Sequence, residues 1–69
     1  MKITEIRELS DDELRARISD FREELMNLRF QQATGELTDH TRLSFTRRII
    51  ARILTELRER ELMMMEGEG

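Results

Sequence analysis

Leu14, Ile18, Phe21, Leu25 and Leu28 recur at spacings of 4, 3, 4 and 3, with polar residues filling most positions between them. That is the seam of a helix that faces one neighbouring helix. The segment Ser10-Asp-Asp-Glu13 just upstream has the form of a capping box. Ser10 can accept from the amide of Glu13, and Glu13 can reach back to the amide of Ser10. Asp11 and Asp12 suit the positive end of the helix dipole. The pattern predicts a helix over residues 11–34, ended by Gly35 in the left-handed conformation. Roughly 24 residues at about 1.5 Å each give a rod near 36 Å long.

A second seam follows at Leu43, Ile50, Ile53 and Leu57, with Leu54 at its edge. It predicts a helix from about His40 to about Leu62, with Asp39 as N-cap and Thr38 as the alternative. A connection as short as Gly35–Asp39 makes two long rods antiparallel neighbours. Upstream, Ile3, Ile6 and Leu9 fall on one side of a short helix over residues 2–9. That helix is expected at the open end of the hairpin, against Leu54, Leu57 and Leu62. The fold class is therefore all-α: an antiparallel, coiled-coil-like two-helix hairpin with a short N-terminal helix. Residues 1–62 form the single domain, and residues 63–69 read as a flexible C-terminal tail.

Composition narrows the options. The chain has 69 residues, no Cys, Trp, Tyr or Pro, and a single His. A core this small seldom supplies more than about 3–5 kcal/mol, and no disulfide or thiolate metal site can reinforce it. No apolar run approaches the ~20 residues of a membrane span, and no signal-type segment opens the chain, so a cytoplasmic location is expected. The sequence offers no nucleophile with a base, no glycine-rich phosphate loop and no metal spacing. His40 reads as an exposed residue at a helix start, and Asp11/Asp12 as capping chemistry. No enzyme activity, cofactor, metal or small-molecule substrate is expected.

Charge points to a binding role. The formal net charge is −3, yet Arg42–Thr55 holds four arginines and no acid. Between Leu25 and Thr55, five arginines (Arg29, Arg42, Arg47, Arg48, Arg52) face only Glu36 and Asp39, while acids gather toward both ends. Eleven of the twelve basic residues are Arg, whose planar fork fits phosphate in a bidentate way. Helical spacing puts Phe45, Arg48, Ile49 and Arg52 on the side opposite the second seam. Such a face suits a polyanion, with Arg on phosphates and apolar groups against sugars or bases. Arg29 joins Arg42, Arg47 and Arg48 toward the hairpin tip. A second stripe, Met26, Phe30 and Ala33, is flanked by Asn27, Gln31 and Gln32. An acidic protein could meet the same surface. A coiled-coil interaction module would instead bury Phe45 and Ile49 between chains as a dimer. A DNA-binding reading has only His40-Thr41-Arg42 to rest on.

Three stretches carry a family resemblance. MKITEIRELSDDEL at the start, ELMNLRFQQATGEL over 24–37 and RRIIARILTEL over 47–57 together resemble the L-twenty-nine family of bacterial large-subunit ribosomal proteins. The resemblance implies a helical hairpin that binds large-subunit rRNA as a structural component, near the mouth of the polypeptide exit tunnel. It implies the L-twenty-three protein as a neighbour, with folding and targeting factors docking close by. Carried over by position, Arg29, Arg47, Arg48 and Arg52 would face rRNA, with Asn27, Phe30 and Gln31 in support. Two features depart from the family pattern. Ile49 stands where an acidic residue or Asn is usual, and the net charge is negative where relatives are mostly basic.

Overall fold

The computed structural model describes residues 1–68. Three helices follow in order, α1 (Ile3–Glu8), α2 (Asp11–Thr34) and α3 (His40–Glu68), and among the described residues there is no strand. α2 and α3 pack side by side as the hairpin, and α1 packs on α3. The molecule measures 52 × 19 × 15 Å.

Each boundary has a local cause. Ser10 is extended, and its hydroxyl accepts from the Glu13 amide at 3.2 Å. The reciprocal bond from Glu13 is absent, so the cap is the one-sided form. At the other end Gly35 adopts φ 79°, which costs glycine nothing and any other residue strain. Its amide donates to the Gln32 carbonyl at 3.2 Å and that of Glu36 to Gln31 at 2.8 Å, the pairing that closes a helix through a left-handed residue.

The seams form as the periodicity requires. Leu14 and Ile18 are buried on α2, and Leu43, Ile50 and Ile53 on α3. Thr46, whose hydroxyl is polar enough to hide it from a hydrophobic pattern, completes the second seam with 0% exposure. It donates to the Arg42 carbonyl at 2.8 Å, so its hydroxyl enters the core already satisfied.

Two expectations need correction. α1 does not lie against Leu54 and Leu62, which stay 42% and 49% exposed. Ile6 instead joins a cluster with Leu14, Ile18, Ile49 and Ile53, and Met1, Leu9, Phe21 and Leu57 pack around it. Ile49 is accordingly 1% exposed and does not belong to an outward face with Phe45. The reason is geometric. At about 100° per residue, α3 presents Ile49, Ile53, Glu56 and Arg60 on one flank and Leu54 on the other. Only the first flank offers both a bed for Ile6 and a side-chain donor for the main-chain carbonyls ending α1. Arg60 is that donor. It donates to the carbonyls of Ile6 (3.5 Å) and Arg7 (3.1 Å), to Asp11 at 2.8 Å and to Glu56 at 3.0 Å.

α3 itself runs past Leu62, continuing through Met63-Met64-Met65 to Glu68. No proline or β-branched residue interrupts this stretch, and Met and Glu are good helix formers. It extends beyond Arg60, the residue level with the start of α2. Leu62, Met63, Met64 and Met65 are exposed there. The expected flexible tail also includes Gly69, which lies outside the described residues.

Candidate nucleic-acid interface

The hairpin tip is held by polar bonds. Asp39 caps α3, its Oδ1 accepting from the amides of Thr41 (3.0 Å) and Arg42 (3.3 Å) and from the Thr41 hydroxyl. The Thr41 hydroxyl, followed by the Arg42 amide, holds the Asp39 carboxyl below its usual pKa. Arg42 reaches back across the hairpin. Its Nε and Nη2 both donate to the Glu24 carboxylate, the latter at 2.9 Å. Its guanidinium also lies 4.9 Å from the centre of the Phe45 ring. The hydrogen bonds to Glu24 raise its pKa. Of the five arginines expected at the basic surface, Arg42 is the one already committed inside the molecule.

The other four differ. Arg29, Arg47, Arg48 and Arg52 are exposed, and among the described residues none has a carboxylate partner; the ion pairs use Arg15, Arg42 and Arg60. Arg48 and Arg52 stand one turn apart on one face of α3. Arg47 points about 100° away from Arg48, toward the flank opposite α1. Arg52 lines a shallow cavity of about 200 Å³ with Ile3, Ile6 and Arg7, so it sits mid-rod beside α1 rather than at the tip. With Ile49 withdrawn into the core, Phe45, 40% exposed, is the apolar group left on the outer face.

The supporting residues do not share one place. Phe30 is exposed on α2, as is Met26. Asn27 and Gln31 are exposed too, but helical geometry puts them on the Glu24 edge of α2, while Arg29 lies on the opposite edge. Sequence reasoning missed Arg60 and Thr46. The signal for Thr46 was present: a seven-residue gap between Leu43 and Ile50 in a seam otherwise spaced by threes and fours. Arg60 left none, because its partners are main-chain carbonyls and a capping Asp far away in sequence.

The sequence that folds into this hairpin is matched over residues 4–60 by the family model described as Ribosomal L29 protein. The chain belongs to the ribosomal L29 protein family. It is 54% identical over 66 residues to the large ribosomal subunit protein uL29 of Corynebacterium urealyticum, covering 96% of this chain and 86% of that protein. Against uL29 of Mycobacterium avium the identity is 57% over 63 residues, or 91% and 82% of the two chains. Against uL29 of Streptomyces avermitilis it is 57% over 61 residues, or 88% and 82%. Membership makes the protein a structural component of the large ribosomal subunit in the cytoplasmic ribosome, and not an enzyme. Its associations are with rRNA and other ribosomal proteins. No helix among the described residues is long and apolar enough to cross a membrane. The coiled-coil alternative loses its main support, since it needed Ile49 free for a second chain, and Ile49 is buried against Ile6 within this one.

Proposed function

We propose that this L29-family protein holds large-subunit rRNA in place through Arg29, Arg47, Arg48 and Arg52, near the mouth of the polypeptide exit tunnel. The observation that carries the reading is the availability of these four guanidinium groups: each is exposed, and among the described residues none is spent on an internal carboxylate. Their work is positioning. Guanidinium forks on a rod of fixed geometry neutralise phosphates from neighbouring rRNA segments and keep them in register. Phe45 and Phe30 offer apolar faces to sugars or bases, and Asn27 and Gln31 offer hydrogen bonds on the far edge of α2. Arg42 leaves this set and serves as the brace of the tip. The family resemblance supports a place beside the L-twenty-three protein. It also supports leaving the acidic open end toward folding and targeting factors.

The test is retention on purified large subunits through a rising salt wash, wild type against Arg48→Glu plus Arg52→Glu. Both residues are exposed, so the variant keeps its helical circular dichroism. It should leave the subunit at lower salt than wild type. Release at the same salt would remove these arginines from the interface.

A further inference from the structure

The flank of the hairpin away from α1 carries a pattern of which the rRNA reading above uses only Arg29 and Arg47. Along α2, Arg15, Ser19, Arg22, Met26, Arg29 and Ala33 recur at spacings of 4, 3, 4, 3 and 4, so they form one stripe along one edge of the helix. The stripe contains no acid. The edge of α3 that borders it carries Arg47, Leu54 and Arg58, spaced 7 and 4, again without an acid. Between the two edges runs an open groove of about 400 Å³, lined by Arg15, Ile18, Ser19, Arg22, Leu54 and Leu57. In an acidic chain, two arginines, Arg15 and Arg22, line this groove on the side that α1 leaves bare, and by helical spacing Arg29, Arg47 and Arg58 continue its two edges.

These cations are not consumed at home. Arg22, Arg29, Arg47 and Arg58 have no carboxylate partner among the described residues, and Arg15 meets Asp12 only at 3.5 Å, with both side chains mostly exposed. Pairs of that kind hold their partners weakly. The nearest acids mark the end of the track. Asp11 is taken by Arg60, and Glu61 lies beyond Arg58 at the open end.

We propose that a stretch of rRNA backbone lies lengthwise in this groove, gripped by Arg15, Arg22 and Arg29 from α2 and by Arg47 and Arg58 from α3. The proposal rests on the rRNA reading above and extends it from the tip to the whole flank. The spacing selects the ligand class. Seven residues of helix separate successive α2 arginines by about 10.5 Å, so the three span about 21 Å in a line. That layout matches a polymer with charge at regular intervals, not a compact anion. Ser19 places a hydroxyl between two of the cations, and Leu54 with Ile18 gives the groove an apolar floor on which sugars can rest.

Two measurements on assembled large subunits test it. In the salt wash, Arg15→Gln plus Arg22→Gln plus Arg58→Gln is compared with wild type and with Arg48→Glu plus Arg52→Glu, each variant first checked for unchanged helicity. Earlier release of the triple variant supports the groove. Release at the wild-type salt overturns it, and the rRNA reading above then stands or falls on Arg48 and Arg52. In the second measurement, Ser19→Cys gives the chain, which has no native cysteine, one thiol in the groove for an iron-chelate tether. Ser44→Cys serves the same purpose beside Arg48. Hydroxyl-radical scission of rRNA from position 19 supports the proposal. Scission from 44 but not from 19, or photocrosslinking of the thiol at 19 to a ribosomal protein in place of rRNA, overturns the groove while leaving the rRNA reading above intact. Scission from neither position overturns both.

Discussion

The two ends of the hairpin are built on different plans. Toward the open end, Ile6, Leu14, Ile18, Ile49 and Ile53 form the continuous core, and the nearby arginine, Arg60, is turned inward on four acceptors. Toward the tip, Leu25 and Leu28 are only half-buried, Met26 and Phe30 are exposed, and one arginine in the neighbourhood, Arg42, braces the rods while the rest face outward. A 69-residue chain cannot afford a full core at both ends. It places its main buried cluster where α1 can cover it, and toward the tip leaves burial chiefly to Leu43, Thr46 and Ile50 of α3. The same residue type thus does opposite work at the two ends: Arg60 is a structural clamp, and Arg47 and Arg48 are free for a partner.

The sharpest way to break this comparison is in the core. Ile6→Ala should cost about 2–5 kcal/mol, comparable to all the stability a core of this size supplies. Phe30→Ala, at a position 69% exposed, should stay within about 0.5 kcal/mol. Urea titration of both variants checks the contrast, and equal losses would abolish it. A smaller effect is expected at the brace. A double-mutant cycle on Glu24→Gln and Arg42→Gln should give a coupling of about 0.2–1 kcal/mol, because both partners remain partly in water. A coupling near zero would make the tip looser than its geometry suggests.

Acid should act on the tip through Asp39. Its carboxyl is held below the ordinary value of 3.8, chiefly by the Thr41 hydroxyl and then by the Arg42 amide. A lowered folded-state pKa means that the carboxylate's contribution is complete above the unfolded value and disappears as pH falls through the folded one. Melting temperature should therefore drop as pH is lowered below about 4, and Asp39→Ala should flatten that part of the profile; thermal melts of the two proteins across the range decide it. The mildest expectation concerns the overhang of α3. We propose that Met63–Met65, which are exposed, open locally. Their amides should exchange with solvent within the dead time of a hydrogen-exchange experiment that still protects Ile49–Ile53. Equal protection would mean that the tail is held by contacts of its own.

Helix number, order and caps were legible in the sequence because each has a local cause: a 4-3 seam, Ser10 before acids, a lone Gly35, Asp39 two residues before Thr41. The side on which α1 docks was not. Ile6 had two flanks of α3 to choose from, Leu54 and Leu62 on one and Ile49 on the other, and hydrophobicity alone does not separate them. The choice follows from Arg60, a long-range contact that no short-range pattern encodes. Misplacing α1 also misplaced Ile49, and with it half of the apolar content of the expected docking face. At the candidate site, residue type marked the arginines, but only the fold separates Arg42, which has a partner, from Arg47 and Arg48, which do not. Arg15 and Arg22 were overlooked because they lie in a stretch whose average charge is acidic; the stripe emerges only once α2 is wound and set beside α3.

The central claim is that exposed arginines of a folded hairpin neutralise rRNA phosphates, and its most direct test is the salt dependence of binding between the purified chain and protein-free large-subunit rRNA. Four phosphate contacts require log affinity to fall against log salt with a slope at least as steep as about −3, and steeper if the groove arginines also engage. A slope near zero would contradict the account at its root.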